Sequence, residues 1–204
     1  MKGILNKKYI LLIFLIILFI IDAVLVINNQ VGWFDNTIYN AVRSINNSFF
    51  DQYFNFFTIL GNPVSIIILL VVLNIFLSRK DAIMCDILSI TSVITNTIIK
   101  NIVRRDRPNV LRLVSEHGFS FPSGHSMISL TLYGYLFYIS FTKIKNNKIR
   151  IITSTMLLFL IVNICISRIY VGVHYSSDVL GGVLLGLFEL ILIIHFNNKL
   201  NGGE

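Results

Sequence analysis

Six apolar runs divide this chain, and each approaches the roughly 20 residues that a helix needs to cross a bilayer. They are Tyr9–Ile27, Thr58–Leu77, Ala82–Ile99, Ser123–Phe141, Ile151–Ile166 and Asp178–Phe196. The first carries a single charge, Asp22, and the second opens on Gly61, Asn62 and Pro63. Proline is tolerated in the first turn of a helix. Charged residues are 13% of the 204, about half the share found in a soluble domain. Disorder is excluded as well, because it needs low hydrophobicity and high charge, and 55% of this chain is hydrophobic. The connections are too short to hold a separate soluble domain. The expectation is one all-α integral membrane domain over residues 1–204, with six transmembrane helices.

Lys2, Lys7 and Lys8 precede the first run, as in a signal peptide. That run is long, and Val24–Asn28 offers no small-residue cleavage site, so a retained first span is expected. Cys85 and Cys165 both lie inside apolar runs and read as small buried hydrophobes, not as a disulfide framework.

Lys and Arg outnumber Asp and Glu, 17 to 10. Such a balance suits nucleic acid or a membrane surface, and the placement of the charges decides between them. With the N-terminus in the cytoplasm, the cytoplasmic segments hold Lys2, Lys7, Lys8, Arg79, Lys80, Lys143, Lys145, Lys148, Arg150 and Lys199. The other side holds Arg43, Lys100, Arg104, Arg105, Arg107, Arg112 and Arg168. Ten against seven follows the positive-inside rule by a small margin. Cations spread this way make no nucleic-acid patch. Both termini are therefore expected in the cytoplasm of a multi-pass cell-membrane protein.

Between the first two spans, Phe34, Ile38, Val42, Ile45 and Phe49 recur every three or four residues, with Asn36, Asn40, Arg43 and Asn47 between them. That period marks an amphipathic helix, with Asp35 as its N-cap. Trp33, Phe34 and Tyr39 suit a membrane interface. The helix would lie flat on the outer surface or pack on top of the bundle.

Three polar clusters fall on the outer side: Lys100–Pro108, Phe121–His125 and Ser167–Asp178. Two crossings separate the second from the third, so the span count keeps all three together. They combine fixed cations (Lys100, Arg107, Arg168), two histidines (His125, His174), a carboxylate four residues after His174 (Asp178), and Ser123-Gly124 at a helix start. Cations at a helix N-terminus make an anion site. Arginine suits phosphate because its planar fork bonds two oxygens, and Gly124 allows close backbone approach. A histidine oriented by a carboxylate is an activated base or nucleophile, and a second histidine can supply a proton near neutral pH. The set reads as phosphoryl transfer from a phosphate ester.

These residues resemble the type 2 phosphatidic acid phosphatase (PAP2) superfamily, whose core is shared with vanadium haloperoxidases. Lys100, six residues, then Arg107-Pro108 matches its first element. Pro122-Ser123-Gly124-His125 matches the second. Ser167-Arg168, five residues, His174, three residues and Asp178 match the third. The resemblance implies that His174 attacks phosphorus to give a phosphohistidine, with Asp178 holding its other ring nitrogen. It implies that His125 protonates the leaving oxygen and then assists water. Lys100, Arg107, Ser123, the Gly124 amide and Arg168 would bind the phosphate, with Ser167, Pro108 and Pro122 in support. No metal and no cofactor are implied. The expected substrate is a lipid phosphate at the extracytoplasmic face: undecaprenyl diphosphate, phosphatidylglycerol phosphate or phosphatidic acid. The alternatives are a lipid phosphotransferase on the same core and a membrane transporter. Oligomeric state is not legible.

Outside the signature, Arg104, Arg105 and Arg112 read as solvated or as contacts to acidic headgroups. Glu116 and His117 read as a solvated loop, with substrate entry as the alternative. Tyr170 and Tyr175 read as interface packing. Asp22 and His195 sit near span ends, where they can reach the interface. Asp86 lies one turn into the third span. Glu189 is deeper, and Asn74 or Asn163 would be its partner.

Overall fold

The structure, a computed structural model, describes residues 2–200, without the side chains of residues 2–6 and 199–200. Two of the cations counted above, Lys2 and Lys199, thus have side chains outside the described residues. The described residues form helices and no strands: α1 (Lys2–Ile27), α2 (Gly32–Arg43), α3 (Ser48–Leu60), α4 (Pro63–Phe76) and α5 (Arg79–Val103). After a long loop come α6 (Gly124–Ile128), a π-helical turn (Ser129–Tyr133), α7 (Gly134–Lys143), α8 (Asn147–Tyr170) and α9 (Ser176–Leu200).

Among the described residues, four helices are long and apolar enough to cross a membrane: α1, α5, α8 and α9. The run expected as a span from Thr58 to Leu77 differs from that expectation. Its helix, α4, has 14 residues, about 21 Å of rise, against a hydrocarbon core of roughly 30 Å. The chain bends by 54° between α3 and α4, and the two together make a fifth candidate span. The break has a local cause. The Asn62 side chain accepts the Val64 amide at 3.0 Å, and Pro63 starts the new helix. The fourth expected span, Ser123–Phe141, lies on α6, the π turn and α7 placed end to end.

The expected amphipathic helix is also two helices. α2 ends at Arg43, and the Asn47 side chain caps α3 by accepting the Phe50 amide at 3.0 Å. Asp35 is not the N-cap: Val31 occupies that position, and Asp35 lies in the first turn, buried. α2 packs on α8 and α9, and its Ile38, Tyr39 and Val42 join the core. It therefore sits on the end of the bundle.

α9 is the central element, packing on α1, α6 and α5. Its approach to α6 depends on small residues. A Cβ on Gly182 would lie 2.6 Å from the Ser123 carbonyl oxygen, and one on Gly186 would lie 2.9 Å from that of Met127. Glycines four apart let two helices touch along their backbones. Elsewhere the outer surface is apolar: Val64, Ile67, Val71 and Ile75 on α4 are exposed, as are Ile10, Ile13, Phe14 and Ile17 on α1. Such rows fit a lipid-facing wall.

Among the intramembrane polar groups, Asp22 does not reach the interface. It is 6% exposed, and a Cβ on Gly181 would lie 3.0 Å from its Oδ2. Glu189 pairs with neither expected asparagine. Asn74 donates to Asp86 at 3.1 Å, Asn163 accepts from the Tyr53 hydroxyl at 2.7 Å, and Glu189 meets Thr95 instead. Tyr9 and His195 join the two ends of α1 and α9 at 3.2 Å.

Candidate active site

The C-terminal ends of α1, α5 and α8 and the starts of α6 and α9 meet at one end of the bundle, and the three polar clusters meet with them. A backbone bond ties two of the clusters: the Ser123 amide donates to the Asp178 carbonyl at 2.9 Å. The His174 amide donates to the Arg168 carbonyl at 3.2 Å, closing the turn between α8 and α9. Gly172, at φ +76°, makes that turn; a Cβ there would also strike the Leu111 carbonyl at 2.5 Å.

His174 is 3% exposed. Its Nδ1 lies 3.4 Å from Asp178 Oδ2 and 3.3 Å from Ser120 Oγ. Its Nε2 lies 3.3 Å from the Arg107 guanidinium. An arginine can only donate, so that contact requires a bare Nε2 and puts the proton on Nδ1, toward Asp178. Burial, more than the nearby cations, lowers the His174 pKa to about 4, against the pull of Asp178. The ring is neutral at neutral pH, with its free lone pair facing the arginine.

Asp178 has no exposed surface. Its Oδ2 accepts from the Ser120 hydroxyl and, at 2.8 Å, from the Tyr175 amide. Its Oδ1 accepts from Arg105 at 2.7 Å.

The three signature cations are each pinned. Lys100, in the last turn of α5, donates to the carbonyls of Phe119 and Ser120, ahead of the second cluster. Arg107 donates to the carbonyls of Val173 at 2.9 Å and of His117 and Gly118 at 3.0 Å. Arg168, fully buried on α8, donates to Thr58 Oγ1 at 3.0 Å and to Glu116, and its Nε has no partner. Ser167 hydrogen-bonds Thr58 at 2.9 Å, so it supports Arg168 through that hydroxyl. Glu116 also lies 3.7 Å from Arg107. Burial alone would raise the Glu116 pKa, but Arg168 and Arg107 outweigh it and hold the carboxylate ionised. Lys100, Arg107 and Arg168 less Glu116 leave two positive charges, which match a phosphate monoester dianion.

Ser123 caps α6 and is fully buried, its Oγ 2.9 Å from Ser126 Oγ. The face of Gly124 that lacks a Cβ meets Asn96: a Cβ would lie 3.1 Å from Asn96 Oδ1, and Asn96 Nδ2 donates to the Pro122 carbonyl. A side chain of α5 therefore crowds this position, whatever ligand approaches. The Phe121–Pro122 peptide is cis. His125 packs against Gly61, where a Cβ would come within 2.8 Å of its ring, and shares the electrostatic field of Arg168, His174, Arg107 and Lys100.

Several residues at this end have roles that the sequence did not assign them. Arg105 is neither solvated nor turned to headgroups: it bridges Asp178 and Asp35, 2.7 Å from each, under the face of Tyr175. Glu116 is no solvated loop residue but the counter-ion of two arginines. Ser120, Thr58 and Asn96 complete the frame. Arg112 donates to the Pro108 carbonyl at 2.7 Å, while Arg104 caps α5 at φ 51° and is exposed. A cleft of about 500 Å³ reaches Asp35, Arg105 and Tyr175, and none of the signature residues lines it. Among the described residues, no three His, Cys, Asp or Glu side chains converge as ligands for a metal ion.

Comparison with known proteins bears on the family and the fold. The PAP2 superfamily profile matches residues 83–201. Phosphatidylglycerophosphatase B of Bacillus subtilis (strain 168) is 31% identical over 194 residues, covering 91% of this chain and 94% of that protein. The crystal structure of a transmembrane PAP2-type phosphatidylglycerolphosphate phosphatase from Bacillus subtilis superposes with a TM-score of 0.83 at 30% identity, over 92% of this chain and 96% of that one. Aquifex aeolicus LpxE shares the fold, with a TM-score of 0.66 at 23% identity over 78% and 93% of the two chains. The signature, its convergence at one end of a membrane helical bundle, and relatives aligned almost end to end lead to one assignment: this chain belongs to the PAP2 superfamily.

Proposed function

We propose that this chain is a metal-independent lipid phosphatase that works through a phosphohistidine on His174, with its site at the extracytoplasmic face. One observation carries the reading. His174 Nε2 lies 3.3 Å from an arginine, which can only donate, while its Nδ1 lies 3.4 Å from a buried carboxylate.

The substrate phosphate enters by replacing Glu116 on Arg168 and Arg107. Lys100, Arg107, Arg168, Ser123 and the Gly124 amide take its oxygens and the charge that grows in the transition state. Nε2 of His174 attacks phosphorus as the ester P–O bond breaks. The Nδ1 proton stays directed at Asp178, which stabilises the positive charge on the ring. His125 gives a proton to the departing alkoxide, so the lipid leaves as an alcohol. His125, now basic, removes a proton from water, whose oxygen attacks phosphorus and breaks the P–N bond. The products are inorganic phosphate and the original neutral His174. Fixed cations supply the charge stabilisation that a divalent ion gives elsewhere.

The site lies at the far end of α1 from the N-terminus. With the N-terminus cytoplasmic, as the cation count favours, the site faces outward. Among the three candidate lipids, phosphatidylglycerol phosphate has the support of the Bacillus subtilis matches in sequence and in structure, which are named for it. The test is phosphate release from phosphatidylglycerol phosphate, undecaprenyl diphosphate and phosphatidic acid by detergent-purified protein in EDTA. The reading predicts turnover with at least one lipid, undiminished by the chelator and highest kcat/KM for phosphatidylglycerol phosphate. Loss of activity in EDTA contradicts metal independence, and a higher kcat/KM for another lipid overturns the substrate assignment.

A further inference from the structure

We propose that Asp35 and Arg105 are positioning residues for His174, acting on it through Asp178. The inference rests on His174 as the nucleophile. Neither residue belongs to the signature, and Asp35 lies outside the stretch matched by the family profile, residues 83–201.

The two oxygens of Asp178 have separate tasks. Oδ2 faces His174 Nδ1 and takes the Ser120 hydroxyl and the Tyr175 amide. Oδ1 takes the Arg105 guanidinium at 2.7 Å. The same Arg105 nitrogen also donates to Ser177 Oγ at 2.7 Å, and its other terminal nitrogen donates to Asp35 Oδ2 at 2.7 Å. Asp35 then accepts from the Ser177 amide at 2.9 Å and from the Ser177 hydroxyl at 2.8 Å. The face of Tyr175 covers the guanidinium, whose carbon lies 3.9 Å from the ring centroid. A planar fork fixed at both ends cannot rotate. It therefore sets the plane of the Asp178 carboxylate, and with it the direction in which Oδ2 meets the ring. That direction decides where the Nε2 lone pair points. A small misplacement of an attacking atom costs much of the advantage of a pre-oriented reaction.

The assembly also sets charge. Asp178 and Asp35 are 0% and 3% exposed, and a buried charge persists only when paired. Arg105 serves both carboxylates, so each receives part of one positive charge. Burial would lower the Arg105 pKa, but Asp178 and Asp35 together raise it, so the bridge stays charged. His174 also faces Lys100 from α5, Arg168 from α8, Arg107 from the long loop after α5 and His125 from α6, with Glu116 near the arginines. Those groups are unchanged when Asp35 or Arg105 is replaced.

Opposite shifts follow. In Arg105→Gln, Asp178 keeps its full negative charge for the ring, so His174 binds a proton more readily. In Asp35→Asn, Arg105 acts on Asp178 alone, so His174 binds a proton less readily. A merely structural tie between α2 and α9 would lower thermal stability in both variants and move neither titration.

The experiment measures kcat, KM and the acid limb of kcat/KM for phosphatidylglycerol phosphate with wild type, Arg105→Gln, Arg105→Lys, Asp35→Asn and His174→Ala. Thermal unfolding is followed in parallel. The expected result is a fall in kcat of about tenfold or more with KM nearly unchanged, the signature of an interaction used in the transition state. The acid limb should move up in Arg105→Gln and down in Asp35→Asn, and Arg105→Lys should restore part of kcat. Should Arg105→Gln fail to fold, Asp35→Asn and Arg105→Lys carry the same readouts. Folded variants whose kcat and acid limb match wild type overturn the proposal. An inactive His174→Ala beside normal Asp35 and Arg105 variants removes the positioning role alone. A His174→Ala that turns over normally removes the nucleophile assignment itself.

Discussion

The carboxylate of Glu116 rests on the guanidinium of Arg168, a side chain with no exposed surface. In the proposed mechanism a substrate phosphate takes the same guanidinium, so lipid and Glu116 would compete for it. Glu116→Gln removes the resident anion. The expected outcome is tighter inhibition by inorganic phosphate, by about tenfold, read from its effect on phosphate release. The same change leaves a buried arginine with weaker compensation, which is destabilising. The melting temperature should fall, and added phosphate should restore it by binding the folded state.

Acid should remove stability through His174. Its folded pKa, about 4, lies below the roughly 6.5 of a free histidine. A group that resists protonation when folded contributes its full stability above the unfolded pKa and loses it as pH falls from 6.5 toward 4. Nitrogen-15 NMR of histidine-labelled protein, with His174→Ala to assign the signal, should show a neutral ring with protonated Nδ1 at pH 6. A ring half-protonated at pH 6.5 or above contradicts the site described.

Thr58 ties the bent α3–α4 pair to Arg168, one of the cations proposed to hold phosphate. Its hydroxyl accepts from Arg168 at 3.0 Å and meets Ser167 at 2.9 Å. Hydrogen bonds to charged groups contribute about 1.5–3 kcal/mol. Thr58→Val should therefore raise KM, or weaken phosphate inhibition, by about tenfold or more. Steady-state kinetics with phosphate as inhibitor checks this, and unchanged values would place Arg168 under other control.

Gly182 should tolerate no side chain. A Cβ there meets a backbone carbonyl, Ser123 O, at 2.6 Å, and backbone cannot swing away as a flexible side chain does. Gly182→Ala should cost about 1–3 kcal/mol and separate α9 from α6. A thermal melt and the specific activity should fall together, since the displaced residue, Ser123, is the one whose amide donates to the Asp178 carbonyl.

Much of this was legible in the sequence, for reasons that differ by residue. Lys100, Arg107, His125, Arg168, His174 and Asp178 announce themselves by type and spacing, and the apolar runs announce a membrane bundle. Arg105 could not be told apart from its neighbours, because a run of arginines carries no sign of which one turns inward. Asp35 did leave a signal. It stands three and seven residues before Ile38 and Val42, on the apolar face of its helix, and a charge on such a face needs a partner. The partner lies 70 residues away, and spacing cannot show that. The bend at Gly61–Pro63 was visible as residues but not as geometry. Gly-Asn-Pro begins a helix in either case, and only the length of α4 shows that it begins a new one. Glu116 looked solvated because a loop position says nothing about a counter-ion waiting in the fold.

The phosphohistidine is the centre of this account, and chemical trapping reaches it most directly. Protein mixed with phosphorus-32-labelled phosphatidylglycerol phosphate is quenched in alkali, where a phosphohistidine survives, and the label is mapped by peptide digestion. The account predicts label on the peptide containing His174, lost on acid treatment and absent from His174→Ala. A His174→Ala protein that releases phosphate at the wild-type rate, or label on any other residue, would contradict it.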